Sequence, residues 1–151
     1  MFKISRKVEY ALIVLQHLSH QPQGQLTTVK EVCDKYRAPF EVVAKVMQQL
    51  SNKKILKSEQ GAHGGYLVQC DLSKFSFFDL VEIIEGPVGL VKCLHNEKAP
   101  QCELFSNCNI VSPLSFLNER LIQFYQDLTL TDLLRSQRRN KLPAAAGAVQ
   151  G

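Results

Sequence analysis

The sequence predicts a mainly α-helical fold with one small β-hairpin, and three observations predict it. Apolar residues recur at helical spacing in most of the chain. Two short helical patterns are separated by a tight turn around Arg37-Ala38, and the one pair of strand-like runs flanks a glycine-rich tip. A helix, a turn, a second helix and then a hairpin read as a winged helix-turn-helix domain, and a long helix with an apolar seam follows it as a dimerisation element.

From Ser5 to about His20, Val8, Ala11, Leu12, Leu15 and Leu18 recur at helical spacing, with Ser5 as N-cap. This helix ends before Gln21-Pro22-Gln23-Gly24. Thr28 followed by Glu31 makes a capping box for a short helix from Val29 to about Tyr36. Pro39 suits the first position of the next helix, whose Val43, Val46, Met47 and Leu50 share a face. The runs 55–59 and 66–70 are the strands of the wing, joined through Gly61, Gly64 and Gly65, which serve turn geometry. A phosphate-cradling loop is not expected, since no long helix and no P-loop lysine follow.

Ser76 caps a helix running through Glu85, and Gly86-Pro87 ends it with a left-handed C-cap. From about Ser112, Leu114, Leu117, Leu121, Phe124 and Leu128 form a coiled-coil-like seam that needs a partner, and subunit pairing is the expected one. Thr131-Asp132 opens a last short helix. The expected organisation is 1–86 for DNA binding, 87–111 as a cysteine-rich loop, 112–137 for dimerisation and the terminal helix, and 138–151 as a disordered tail.

A hydrophobic content of 45% with 21% charged residues is a globular composition, and 151 residues suit one domain with an oligomerising appendage. No stretch approaches a membrane span, and the N-terminal MFKISRKVEY has no apolar core with a cleavage site, so a cytoplasmic protein is expected. Charge is unevenly spread. Residues 1–60 hold ten Lys/Arg against five Asp/Glu, and residues 61–151 hold eight against nine, which points the first half toward an anionic partner such as nucleic acid. No nucleophile–base pair, paired carboxylates or cofactor loop suggests an enzyme.

Five cysteines, an odd number in a reducing compartment, are expected to be free or metal-bound. Cys93, Cys102 and Cys108, with eight and then five residues between them, lie on a polar loop between helices. Three thiols placed so can converge on a soft metal or an iron–sulfur cluster. Cys33 and Cys70 read as small core residues.

Taken in order, ValGluTyrAlaLeu (8–12), the helix-turn-helix, GlyAlaHisGlyGlyTyr (61–66), IleGluGlyPro (84–87) and three cysteines before a long helix make the chain resemble, from about Phe2 to Ser136, the Rrf family of winged-helix transcription regulators, which includes iron–sulfur, nitric-oxide and iron sensors. The resemblance implies a homodimer joined through the long helix, two winged-helix domains on a roughly palindromic DNA operator, and an iron–sulfur cluster of two or four irons on Cys93, Cys102 and Cys108. Some members add a histidine three residues after the last cysteine, where this chain has Val111; others take a carboxylate from the partner subunit's first helix, and Glu9 is the matching residue. His95, Glu97 and Glu103 are rival fourth ligands.

By the same resemblance the helix beginning at Pro39 is the recognition helix and the wing tip tracks the minor groove. Glu41, Val42 and Lys45 are then expected in the major groove, with Lys30, Lys53, Lys54 and Lys57 on phosphates. Many members carry arginine just before the first wing glycine; Gln60 stands there, so the wing contact, for which Gln60 and His63 are the candidates, is expected to be weaker or borne by His63. The implied function is an operator-binding regulator controlled by the cluster, and the alternative is a cluster-free or zinc-bound regulator whose thiols sense oxidants directly.

Overall fold

In the computed structural model, residues 3–94 and 102–136 are described. Helix α1, Arg6–Ser19, is capped by Ser5, whose hydroxyl oxygen accepts the Val8 N–H at 3.3 Å. Val8, Ala11, Leu15 and Leu18 are buried as the spacing predicts, whereas Leu12 is only half-buried and Val14 takes the remaining core position. Ala11 is 0% exposed, so no bulk separates this stripe from its neighbours.

Helix α2, Val29–Tyr36, carries the full capping box: Thr28 Oγ1 accepts from Glu31 N, and the Glu31 carboxylate accepts from Thr28 N. Those bonds hold the Glu31 carboxyl below its ordinary range. The tight turn is made by Arg37 in the left-handed region, φ 51°, ψ 42°. Pro39 is extended and is itself the N-cap of α3, Phe40–Asn52, so the helix starts one residue later than the sequence suggests. Proline supplies no capping side chain there, and its fixed φ of −64° serves the turn instead. Val43, Val46, Met47 and Leu50 are buried against α1 and α2.

Strands β1, Leu56–Glu59, and β2, Gly65–Val68, pair antiparallel from Leu56 with Val68 to Glu59 with Gly65. Both are shorter than the predicted runs. Ile55 stays buried and still offers its carbonyl to Gln69 N at 3.1 Å. Thr27 and Tyr66 exchange two backbone hydrogen bonds of 2.9 Å, which pin the wing to the start of α2. That pairing explains a glycine: a Cβ on Gly65 would lie 2.9 Å from the Thr27 carbonyl oxygen.

Helix α4, Phe77–Glu85, has a second capping box, Ser76 with Asp79. Gly86 has the expected positive φ, 85°, but its ψ of −162° is extended, so the chain leaves α4 straight instead of through a left-handed cap. The long helix α5, Val111–Asp127, begins one residue earlier than predicted, and α6, Leu130–Arg135, is capped by Thr129 with Asp132 at the third position. Phe77 N–H donates to Leu128 O and Leu130 N–H to Phe75 O, both at 2.8 Å, so the α5–α6 junction is stitched to the start of α4. Leu130 is consequently fully buried, and Phe77 meets Tyr125 edge-on at 5.0 Å. The residues 137–151, which include the predicted tail, lie outside the described residues.

One polar side chain is buried among α1 and α2. His17 Nε2 lies 3.0 Å from the Gln21 side-chain nitrogen, and Nδ1 lies 3.1 Å from the Tyr36 hydroxyl. Burial, and then the Lys35 ammonium 3.5 Å away, push the His17 pKa down; Glu31 acts weakly the other way and His20 with Lys35. A depressed imidazole pKa means the unfolded chain takes up the proton first. Stability from this site is therefore complete above about pH 6.5 and lost as pH falls below it. Thermal melts between pH 7.5 and 5.5 should show a falling midpoint that is flatter in His17→Gln, and equal slopes in the two proteins would show that His17 contributes nothing.

Candidate nucleic-acid interface and cysteine segment

Helix α3 buries one face, so its opposite face is defined by default. Glu41, Lys45 and Gln48 are all exposed and stand at i, i+4 and i+7, a single stripe directed away from Val43, Val46 and Met47. Val42 is half-buried at the flank of that stripe. The structure adds two residues the sequence reading did not select. Gln48 continues the stripe by one turn, and Phe40, at the leading end of α3, is 57% exposed. The helical period starting from Glu41 was the signal for Gln48; for Phe40 the sequence carried no such signal.

Lys30 is exposed in the first turn of α2. Lys53 caps the end of α3, and Lys54 follows in the left-handed region, φ 59°, with both side chains exposed. Lys57 is already engaged, its ammonium 2.9 Å from the Glu59 carboxylate on the same strand, although both remain about half-exposed. Gln60 and His63 lie exposed at the wing tip. Exposed cations thus stand on or next to α2, α3 and β1, the kind of side chain that meets phosphates.

The cysteines divide into two sets. Cys33 is buried in the core, and Cys70 is half-buried with Sγ 3.7 Å from the Ile55 carbonyl oxygen. Burial pushes both thiols up, with Asp34 and Asp71 adding to the effect, so both are poor thiolates. Cys93, Cys102 and Cys108 are free and half-buried. Cys93 sits in a single 3-10 turn, Lys92–Leu94, and Cys108 directly follows another, Phe105–Asn107, three residues before α5. Among the described residues no three side chains of metal-ligating type are gathered at one point. His95 and Glu97, with the rest of 95–101, lie outside the described residues; Glu103 is exposed.

Glu9 is on α1 with its carboxylate 2.7 Å from the Arg6 guanidinium, and the two side chains are 41% and 80% exposed. It is thus accessible to a second molecule and only weakly held. Helix α5 has no fully buried residue: Leu114 and Leu121 are half-buried, whereas Ile110, Phe116, Leu117 and Phe124 are 52, 60, 44 and 61% exposed. The seam therefore meets this chain along one edge only. Among the described residues no helix is long and apolar enough to cross a membrane.

The family model Rrf2, described as an iron-dependent transcriptional regulator, matches residues 4–136. The HTH-type transcriptional regulator NsrR of Shouchella clausii is 24% identical over 135 residues, covering 89% of this chain and 90% of that protein. Among solved structures, CymR, titled the global cysteine regulator of B. subtilis, superposes with a TM-score of 0.65 at 22% identity, over 89% of this chain and 97% of that one. IscR of T. potens superposes with a TM-score of 0.58 at 18% identity, over 88 and 86%. At those identities the two structures speak for the fold.

Proposed function

Because this chain belongs to the Rrf2 family of transcription regulators, we propose that it is a DNA-binding homodimer whose grip on its operator is set by the state of Cys93, Cys102 and Cys108, held as ligands of an iron–sulfur cluster. The observation that carries the DNA half is the exposed stripe Glu41, Lys45 and Gln48 on α3, with Lys30, Lys53 and Lys54 exposed on or next to α2 and α3. Glu41 is able to accept from a cytosine amino group, Gln48 to pair with adenine, and the lysines to neutralise phosphates without reading sequence. A two-fold dimer through the apolar face of α5 would place two such helices about 34 Å apart, one turn of DNA.

The donor set fits the cluster. Three free, half-buried thiols are the chemistry that iron–sulfur clusters and soft metals take, while Cys33 and Cys70 are committed to the core. Cys93, Cys102 and Cys108 would hold the group, with Glu9 of the second subunit as an oxygen ligand. A cluster bound there supplies sensitivity to oxidants, nitric oxide or iron supply. The residues of this chain do the rest: Cys108 stands three residues before α5, and the chain just before Cys93 is bonded to Asn118 in the middle of it, so a change in the order of the segment would be passed to that helix. A useful switch needs a coupling of about 1–3 kcal/mol between thiol state and DNA.

A second reading is supported by the same geometry. Three thiols that are partly exposed and not gathered are open to direct oxidation, and the likeness to a structure titled the global cysteine regulator is consistent with thiol sensing.

Anaerobic purification from iron-replete cells, with iron and acid-labile sulfide measured per chain, separates the two. The cluster reading expects brown protein containing sulfide, lost in Cys102→Ala and spectrally shifted in Glu9→Ala; colourless protein without sulfide would leave the thiol reading in its place. For the DNA half, Lys45→Glu should abolish binding to an operator selected from random duplexes while the dimer persists. Wild-type affinity in that variant would remove the α3 stripe from the interface.

A further inference from the structure

We propose that Asn118 is the positioning residue that ties the Cys93 arm of the cysteine segment to helix α5, so that the state of Cys93 reaches the helix through one hydrogen bond. The proposal rests on the sensor reading above and deepens it.

Asn118 lies in the middle of α5, where asparagine is a poor choice, since its amide competes with the backbone for hydrogen bonds. Its side chain is spent on a distant partner instead. Oδ1 accepts the Leu90 N–H at 3.0 Å, across 28 residues of sequence, in a half-buried setting. Among the described residues this is the one side-chain hydrogen bond between α5 and another part of the chain.

The anchored amide is well placed to matter. Just beyond it, Leu94 N–H closes on Val91 O at 3.0 Å, the turn that carries Cys93. Before it, the Gly86 N–H bond to Glu82 O, 2.9 Å, completes α4. The strand of chain from 87 to 94 is thus held by α4 at one end and by Asn118 near the other. Cys108 is registered to α5 by chain continuity, three residues before Val111. Asn118 therefore gives Cys93 the same reference frame as Cys108, although fifteen residues of sequence separate the two thiols. Removing the acceptor would leave the Leu90 N–H half-buried and unpaired, and the arm free to leave the helix.

The test uses the full-length protein, reduced and stripped of metal, with iodoacetamide as the probe and each cysteine followed by mass spectrometry. Asn118→Leu keeps the size of the side chain and removes the acceptor; Asn118→Asp keeps the acceptor. Asn118→Ala, which favours the helix, replaces the leucine variant if that one does not fold. We expect Cys93 to react about fivefold faster in the leucine or alanine variant, the factor that matches loss of one hydrogen bond, with Cys33 and Cys70 unchanged and the aspartate variant like wild type. Affinity for a selected operator is then compared before and after alkylation. Wild type should change, and the variant without an acceptor should change much less.

Equal Cys93 rates in all variants would overturn the anchor, whatever the thiols sense. Acceleration of all cysteines together would reduce Asn118 to a general stability role and overturn it as well. A faster Cys93 with wild-type affinity indifferent to alkylation would instead overturn the sensor reading, and the transmission through Asn118 with it.

Discussion

The packing of α1 across α3 is the contact on which the rest of this structure depends. Val8, Ala11, Val14, Leu15 and Leu18 on one helix and Val43, Val46, Met47 and Leu50 on the other are all nearly or fully buried, and they make up half of the core. Burial of that order is the main favourable contribution in a domain of this size. It also has a directional consequence. Once one side of α3 is committed to α1, the residues opposite face solvent, and the exposed stripe Glu41, Lys45 and Gln48 is the remainder of that commitment.

Two backbone pairings then place the outer elements. Exchange between Thr27 and Tyr66 holds the hairpin beside α2, and the Phe77–Leu128 and Leu130–Phe75 bonds hold the end of α5 and the start of α6 beside α4. In each case two buried strand-like segments satisfy one another's amides, which otherwise would be left without water. Neither pairing is between neighbours in sequence. Together they tie the wing to the helix-turn-helix and the base of the long helix to α4.

Helix α5 is the element that this chain leaves unfinished. It is seventeen residues long, buries none of them fully, and carries three large apolar side chains, Phe116, Leu117 and Phe124, more than 40% exposed. An apolar row of this extent on a helix surface is normally covered by another protein surface. The cysteine segment meets the same helix, from before through Asn118 and from after through Cys108. The uncovered apolar face and the attachment of the cysteine segment thus fall on one element.

The sequence by itself determined the elements and their ends. Ser5, Thr28 and Ser76 marked three helix starts correctly, since a cap is a local interaction between residues three apart. Helical periodicity identified the buried faces of α1, α3 and α4 for the same reason. Small displacements, at Pro39, Gly86, Thr129 and the strand ends, arose where backbone dihedrals or distant partners decide, and a residue type alone does not specify them. Tertiary structure decided what lies outside local reach: that Gly65 is required by the Thr27 carbonyl, that Phe40 and Gln48 join the exposed face of α3, and that Asn118 holds Leu90. Those are contacts between residues separated by a turn of chain or more, or orientations set by what packs behind them. Spacing names the candidates for such a site; only the packed fold assigns them a direction.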